Sequence, residues 1–254
     1  IKENKIYFVG SGLNQLIAPL APYEINCENL KIGNYYYKKI LGKKSETALI
    51  NEMAFSEGLV ELYYNAGYRS IILDIDNTCY PIKKYISKKN IPTDCYSSWN
   101  KRKRLKIIWG SSFLFQKFQS CIFGDISIRD YINILKRYNH FERVDLPIYS
   151  GDAEVFNFRT KRFIAERKRT TNEWQRIYNL LQIINKKIFE FELLPNLGKR
   201  TATKASRLTT ASNPIIVKKQ PKYNISRWAV TGRGDQEINS TCFNIFKNKS
   251  FFIK

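Results

Sequence analysis

The stretch Ser45–Ala66, SETALINEMAFSEGLVELYYNA, reads as one amphipathic helix. Ser45 can cap it, Glu46 suits the positive end of its dipole, and Leu49, Met53, Val60 and Tyr64 recur at near-helical spacing. Gly67 closes it. Outward from there, Ser70–Ile75 is a short β-prone run, and a second helix is expected over Ser127–Tyr138, where Ser127-Ile128-Arg129-Asp130 forms a capping box. Between them the chain reads as loop-rich. Pro147–Phe158 suits a hairpin turning at Ser150-Gly151-Asp152.

The strongest helical pattern spans Asn172–Glu192. It opens on Thr170-x-x-Glu173, places Trp174, Ile177, Tyr178, Leu181, Ile184 and Ile188 on one face, and ends at Pro195. From Asn196 to Arg227 neither strand nor helix periodicity persists, and the stretch is expected to need a partner to order it. No internal repeat is present. The expected fold class is α+β: an irregular N-terminal body, residues 1–169, followed over residues 170–254 by a long amphipathic helix and an extended basic tail.

With 254 residues, 43% of them hydrophobic, the chain can bury a core and is too apolar for a disordered basic tail. Lys+Arg 43 against Asp+Glu 22 gives a net charge of +21, and nearly all the excess lies after residue 100. Such asymmetry points to a near-neutral packing part joined to a part that meets phosphate. No apolar run reaches membrane-spanning length. Cys27, Cys79, Cys95, Cys121 and Cys242 are odd in number and form no CxxC, which argues against a disulfide framework or a zinc cluster. The single histidine, His140, closes off imidazole pairs and reads as a helix-end cap. No metal, cofactor or catalytic residue is assigned. Abundant Lys, Asn, Ile, Phe and Tyr suit AT-rich codons, and the chain opens at Ile1 with Met53 its one methionine, so an organelle-encoded, mitochondrial protein is expected.

Ser70-Ile71-Ile72-Leu73-Asp74-Ile75-Asp76-Asn77-Thr78 sets two carboxylates two residues apart at the end of an apolar strand. It resembles the first motif of the haloacid-dehalogenase-type phosphatases. The resemblance implies Asp74 as nucleophile and Asp76 as general acid/base beside Mg²⁺. The later acidic pair, Asp152 and Glu154, lacks the spacing that would complete that metal site. The plainer reading is a polar strand end turning into a loop.

Lys101, Arg102, Lys103 and Arg104 form one dense cationic run and Arg167, Lys168 and Arg169 another, the kind of charge a phosphate backbone makes compatible with a compact state. Trp99, Trp109, Trp174 and Trp228 are interleaved and offer stacking surfaces, although Trp174 suits a helix core face better.

Near the C-terminus, Pro221-Lys222-Tyr223-Asn224-Ile225-Ser226-Arg227-Trp228-Ala229-Val230-Thr231-Gly232-Arg233-Gly234 resembles the signature of the small-subunit ribosomal protein S-fourteen family, with Pro221, Arg227, Thr231, Gly232 and Arg233 on matching positions. Trp228 stands where that family has Cys, which excludes its zinc-binding variant. The resemblance implies a structural constituent of the mitochondrial small ribosomal subunit in the matrix, a non-enzyme whose partners are ribosomal RNA and neighbouring ribosomal proteins, with no membrane span and no small-molecule substrate. RNA contacts would come from both cationic runs, from Lys199, Arg200, Arg207, Lys218, Lys219 and Lys222, and from the Arg227, Trp228, Thr231, Gly232 and Arg233 turn. Two alternatives accompany it: the Mg²⁺-dependent phosphatase using Asp74 and Asp76, and a peripheral soluble subunit of a mitochondrial membrane complex, whose charge would meet anionic lipid.

Overall fold

The computed structural model describes residues 6–75, 91–138, 156, 172–187, 190–194, 205–208, 225 and 227–249. Its centre is a five-stranded, mostly parallel sheet. Strands β1 (Thr47–Leu49), β2 (Ser70–Asp74), β3 (Asp94–Tyr96), β4 (Arg104–Gly110) and β5 (Ala205–Ser206) lie in the order β1-β2-β4-β3-β5. β1, β2 and β4 are mutually parallel, in registers Thr47↔Ser70 and Ser70↔Lys106. β3 runs antiparallel to β4, and β5 runs parallel to β3.

β2 is buried along its whole length, as its unbroken run Ile71-Ile72-Leu73 requires of a central parallel strand. Before β1, Gly10 adds one more parallel bridge, exchanging backbone bonds with Thr47 and Leu49. A Cβ on Gly10 would fall 2.6 Å from the Tyr68 hydroxyl oxygen, so only glycine lets that segment lie against the Tyr68 ring.

Helix α1 (Tyr23–Leu41) begins where the Asn26 side-chain amide donates to the carbonyls of Ala18, Ala21 and Pro22, and it ends at Gly42, whose φ of 74° supplies the left-handed cap. Leu30 and Gly33 face inward. Helix α2 (Leu59–Asn65) links β1 to β2 and buries Leu59, Val60, Leu62 and Tyr63. These join Ile71, Leu73, Leu105, Ile107 and Trp109 from the sheet in the first core.

A second core lies among α3 (Ser112–Phe123), α4 (Ile128–Tyr138) and α5 (Glu173–Lys187), with Phe118, Tyr131, Leu135, Phe156, Leu180 and Ile184 fully buried. Ser111 caps α3 by accepting from the Leu114 N–H at 3.2 Å. α4 carries the expected box, with the Asp130 N–H donating to Ser127 Oγ and that hydroxyl donating back to the Asp130 carboxylate. Helix α6 (Asp235–Lys249) follows a wide helical turn over Arg227–Thr231. Among the described residues no helix is long and apolar enough to cross a membrane.

The architecture corrects the α+β expectation. Ser45–Ala66 is not one helix: it is β1, a tight turn at Asn51–Met53 and α2. The supposed loop-rich stretch holds β3, β4 and α3, whose apolar residues follow strand alternation or helical spacing only piecewise. In the α5 segment the buried stripe is Ile177, Leu180, Leu181 and Ile184, rotated away from Trp174 and Tyr178, which are about half exposed. The supposedly extended tail contributes β5 to the sheet, Leu208 to the first core and the helix α6. Of the expected hairpin over Pro147–Phe158 only Phe156 is described; its turn, like His140, lies outside the described residues.

Candidate active site at the carboxyl edge of the sheet

Parallel strands deliver their C-terminal ends, and the loops that follow them, to one edge, where ligands of open α/β sheets bind. Here that edge collects Asn51 and Glu52 after β1, Asp74 at the end of β2, and Ser111 and Ser112 after β4.

Glu52 has φ 52° and ψ 17°, and Met53 follows it with φ 53°. A left-handed backbone costs a non-glycine residue about 1–2 kcal/mol, and two in succession persist only where their surroundings hold them. The surroundings are visible. Ile50 and Phe55, on either side, are buried. Asn51 accepts from Ser11 Oγ at 3.0 Å and donates to the Leu16 carbonyl at 3.3 Å. The Met53 and Ala54 N–H groups donate to Ile50 and Asn51 at 3.0 Å each. The result is a braced turn that projects an exposed carboxylate, Glu52, at the sheet edge.

Asp74, on the neighbouring strand, is buried. Its Oδ1 accepts the Ser112 N–H at 3.2 Å and its Oδ2 accepts the Ser112 hydroxyl in a short bond. This ties the end of β2 to the first turn of α3, where the helix dipole favours an anion. Below, Tyr68 donates its hydroxyl to the Ser11 carbonyl at 2.8 Å, and burial holds its phenol well above the ordinary tyrosine range, so it stays protonated.

The cationic residues selected from the sequence are dispersed. Lys103 donates to Glu61 at 2.5 Å and to Asn65 at 2.8 Å, and Arg104 donates to the Lys101 carbonyl while its guanidinium lies over Tyr96, so two of that run's four cations are engaged within the protein. Lys101 and Arg102 are exposed at the turn between β3 and β4. Arg207 pairs with Glu57 at 3.3 Å just beyond β5. The Gly232 N–H donates to Asp235 at 2.7 Å, which makes the turn at Thr231, Gly232 and Arg233 the approach to α6. Arg227 and Trp228 lie in the preceding turn, and the Trp228 carbonyl accepts from Asn239. Arg167, Lys168, Arg169, Lys199, Arg200, Lys218, Lys219 and Lys222 lie outside the described residues, as does Asp76. Trp109 is core, its indole donating to the Pro92 carbonyl at 2.7 Å.

Residues 1–120 match the family model described as Glycosyl hydrolase family 57. The whole chain superposes on part of a 4-alpha-glucanotransferase from Thermococcus litoralis, with TM-score 0.60 and 15% identity, covering 35% of that protein. An exo-type maltose-forming amylase from Pyrococcus sp. ST04 aligns over 89% of this chain and 39% of its own, with TM-score 0.52 and 11% identity. This chain therefore spans little more than a third of either solved protein. No curated protein matches.

These matches overturn the ribosomal resemblance and the structural ribosomal role it implied. The segment that resemblance left without a counterpart is the one that matches a family model, and the family is one of enzymes, against the expectation of a non-catalytic protein. Ribosomal RNA and ribosomal neighbours as partners, and the absence of a small-molecule substrate, fall with it. The phosphatase alternative falls too: the Asp74 carboxylate is buried against Ser112 where a nucleophile would need to meet substrate. The peripheral membrane-complex alternative is displaced by the same enzyme matches. The strained Glu52 was legible neither from composition nor from any motif, because the helical spacing of its neighbours masks the turn.

Proposed function

We propose that the chain is a glycoside hydrolase or transglycosylase domain acting on α-glucans, with Glu52 as the carboxylate that meets the anomeric carbon. The observation that carries this is the braced, left-handed Glu52 at the carboxyl edge of the sheet, within the segment matching the glycosyl hydrolase model. The two solved enzymes of similar fold are named for α-glucan chemistry, which supplies the substrate class.

Glycoside chemistry of the retaining kind needs two carboxyl groups about 5–5.5 Å apart. The Glu52 carboxylate attacks the anomeric carbon while a protonated carboxylic acid gives its proton to the departing glycosidic oxygen. The glycosyl–Glu52 ester then yields to water in hydrolysis, or to a sugar hydroxyl in transfer, and the second group takes up the proton that the acceptor loses. An exposed carboxylate on a turn that cannot relax is suited to the nucleophile, since its approach to the sugar is set before substrate arrives. Asp74, already committed to Ser112, holds the adjacent strand end in place. The acid is to be sought among the acidic residues singled out in the sequence, Asp76, Asp152 and Glu154.

The test is turnover of maltooligosaccharides by the wild-type chain and by Glu52→Gln, Asp76→Asn, Asp152→Asn and Glu154→Gln. Loss of at least about 10³-fold in Glu52→Gln, with azide restoring cleavage in Glu52→Ala, supports the assignment. Undiminished turnover in Glu52→Gln, or none in the wild type, would sink it.

A further inference from the structure

Trp99 is the most exposed of the described tryptophans, at 63%, yet it is not loosely held. Its indole N–H donates to Glu61 Oε2 at 3.1 Å, and Glu61 Oε1 accepts Lys103 Nζ at 2.5 Å. The six-membered ring edge rests over Gly58, where an added Cβ would already stand 3.5 Å from the Trp99 Cη2. The neighbouring Ser98 hydroxyl donates to Glu57 at 3.0 Å, and Glu57 is paired in turn with Arg207. The ring is thus pinned at its polar edge and at its apolar edge, with ring surface left to solvent.

Three properties of this patch narrow what it can hold. Its apolar area is one indole, too small for a protein interface core. Its rim carries hydrogen-bonding groups at Ser98, Glu57 and Glu61. Both rim carboxylates are matched by a cation, Lys103 for Glu61 and Arg207 for Glu57, while Lys101 and Arg102 stand exposed farther along the same turn. An uncharged ring with one C–H face and a girdle of hydroxyls fits all three: the face lies on the indole, and the hydroxyls reach Glu61 and Ser98 as donors and acceptors.

We propose that Trp99, carried by the turn between β3 and β4 and pinned by Glu61 and Gly58, is a binding platform for a glucosyl unit of an α-glucan chain. The proposal rests on the α-glucan reading above and adds a contact residue to it. Because the ring is held before the ligand arrives, little side-chain entropy is lost on binding.

Affinity electrophoresis of the full chain in gels containing soluble starch tests it, with urea midpoints confirming that the variants fold. Trp99→Ala is expected to weaken retardation by about 10-fold in apparent dissociation constant, while Trp99→Phe, which keeps an aromatic face, stays within about 3-fold of wild type. Wild type and Trp99→Ala retarded equally would overturn the platform while leaving the assignment of Glu52 intact. Failure of that assignment is read separately, from turnover in Glu52→Gln. A wild type that starch does not retard at all would overturn the platform as well.

Discussion

Ser112 gives both of its donors to one carboxylate: its hydroxyl to Asp74 Oδ2 and its backbone N–H to Asp74 Oδ1. Through this pair the end of β2 is fastened to the start of α3. Asp74→Asn keeps the shape but turns one acceptor into a donor facing the serine hydroxyl. It is expected to lower unfolding free energy by about 1.5–3 kcal/mol, the range for a charge-assisted bond lost in a buried place, measured by urea denaturation. No loss would mean the pair contributes nothing net.

Glu52→Gly should separate stability from activity. At φ 52° glycine pays no steric penalty, so the loss of backbone restriction in the unfolded chain is offset, and stability is expected to hold or rise by up to about 1 kcal/mol. Glucan turnover should vanish in the same variant. A clear fall in the thermal midpoint would show that the turn is not strained.

Gly33→Ala gives a test of opposite sign. Helix propensity favours alanine by about 1 kcal/mol. The added Cβ would stand 2.7 Å from the Leu13 nitrogen and 2.8 Å from the Gly12 carbonyl carbon, both backbone atoms that cannot swing away. The clash is expected to win, with a net loss of about 1–3 kcal/mol in urea unfolding.

Alkaline pH should destabilise the fold. Burial pushes the Cys121 thiol up to about 11 from its ordinary value near 9. Its folded form therefore keeps a proton that the unfolded chain releases, and stability falls as pH rises from about 9 to about 11. The buried phenols of Tyr63, Tyr68 and Tyr131, also raised by desolvation, extend the decline beyond their ordinary value. Thermal midpoints between pH 8 and 11 should show this, with a shallower slope in Cys121→Ala. At neutral pH a thiol reagent should label exposed Cys242 ahead of buried Cys95 and Cys121.

What could be read from the sequence was what local chemistry determines. The Ser127–Asp130 box places the start of α4, and the apolar run through Leu73 places β2, because each signal lies within a few residues of the element it specifies. Ser45–Ala66 was misread for the same reason. The spacing of Leu49, Met53, Val60 and Tyr64 satisfies a helix, whereas the departure at Glu52 is imposed by Ile50, Phe55, Ser11 and Leu16, which act through packing and long-range bonds. Arg104 stands out in the sequence for its charge, although with Lys106 it alternates with Leu105 and Ile107 along a strand whose other residues are core. Net charge counts cations without locating their partners, and Glu61 and Glu57 already hold Lys103 and Arg207.

The pairing of β5 with β3 joins Asp94 to Ala205 and Cys95 to Ser206, a closure of about 110 residues. Two residues of strand are a small anchor for so wide a loop, so the sheet's outer strand should be the last part to assemble and the first to open. Amides at Ala205 and Ser206 would then exchange with solvent far faster than those of β2, and the protein would lose this strand by a local opening that leaves the parallel strands and their carboxyl edge standing.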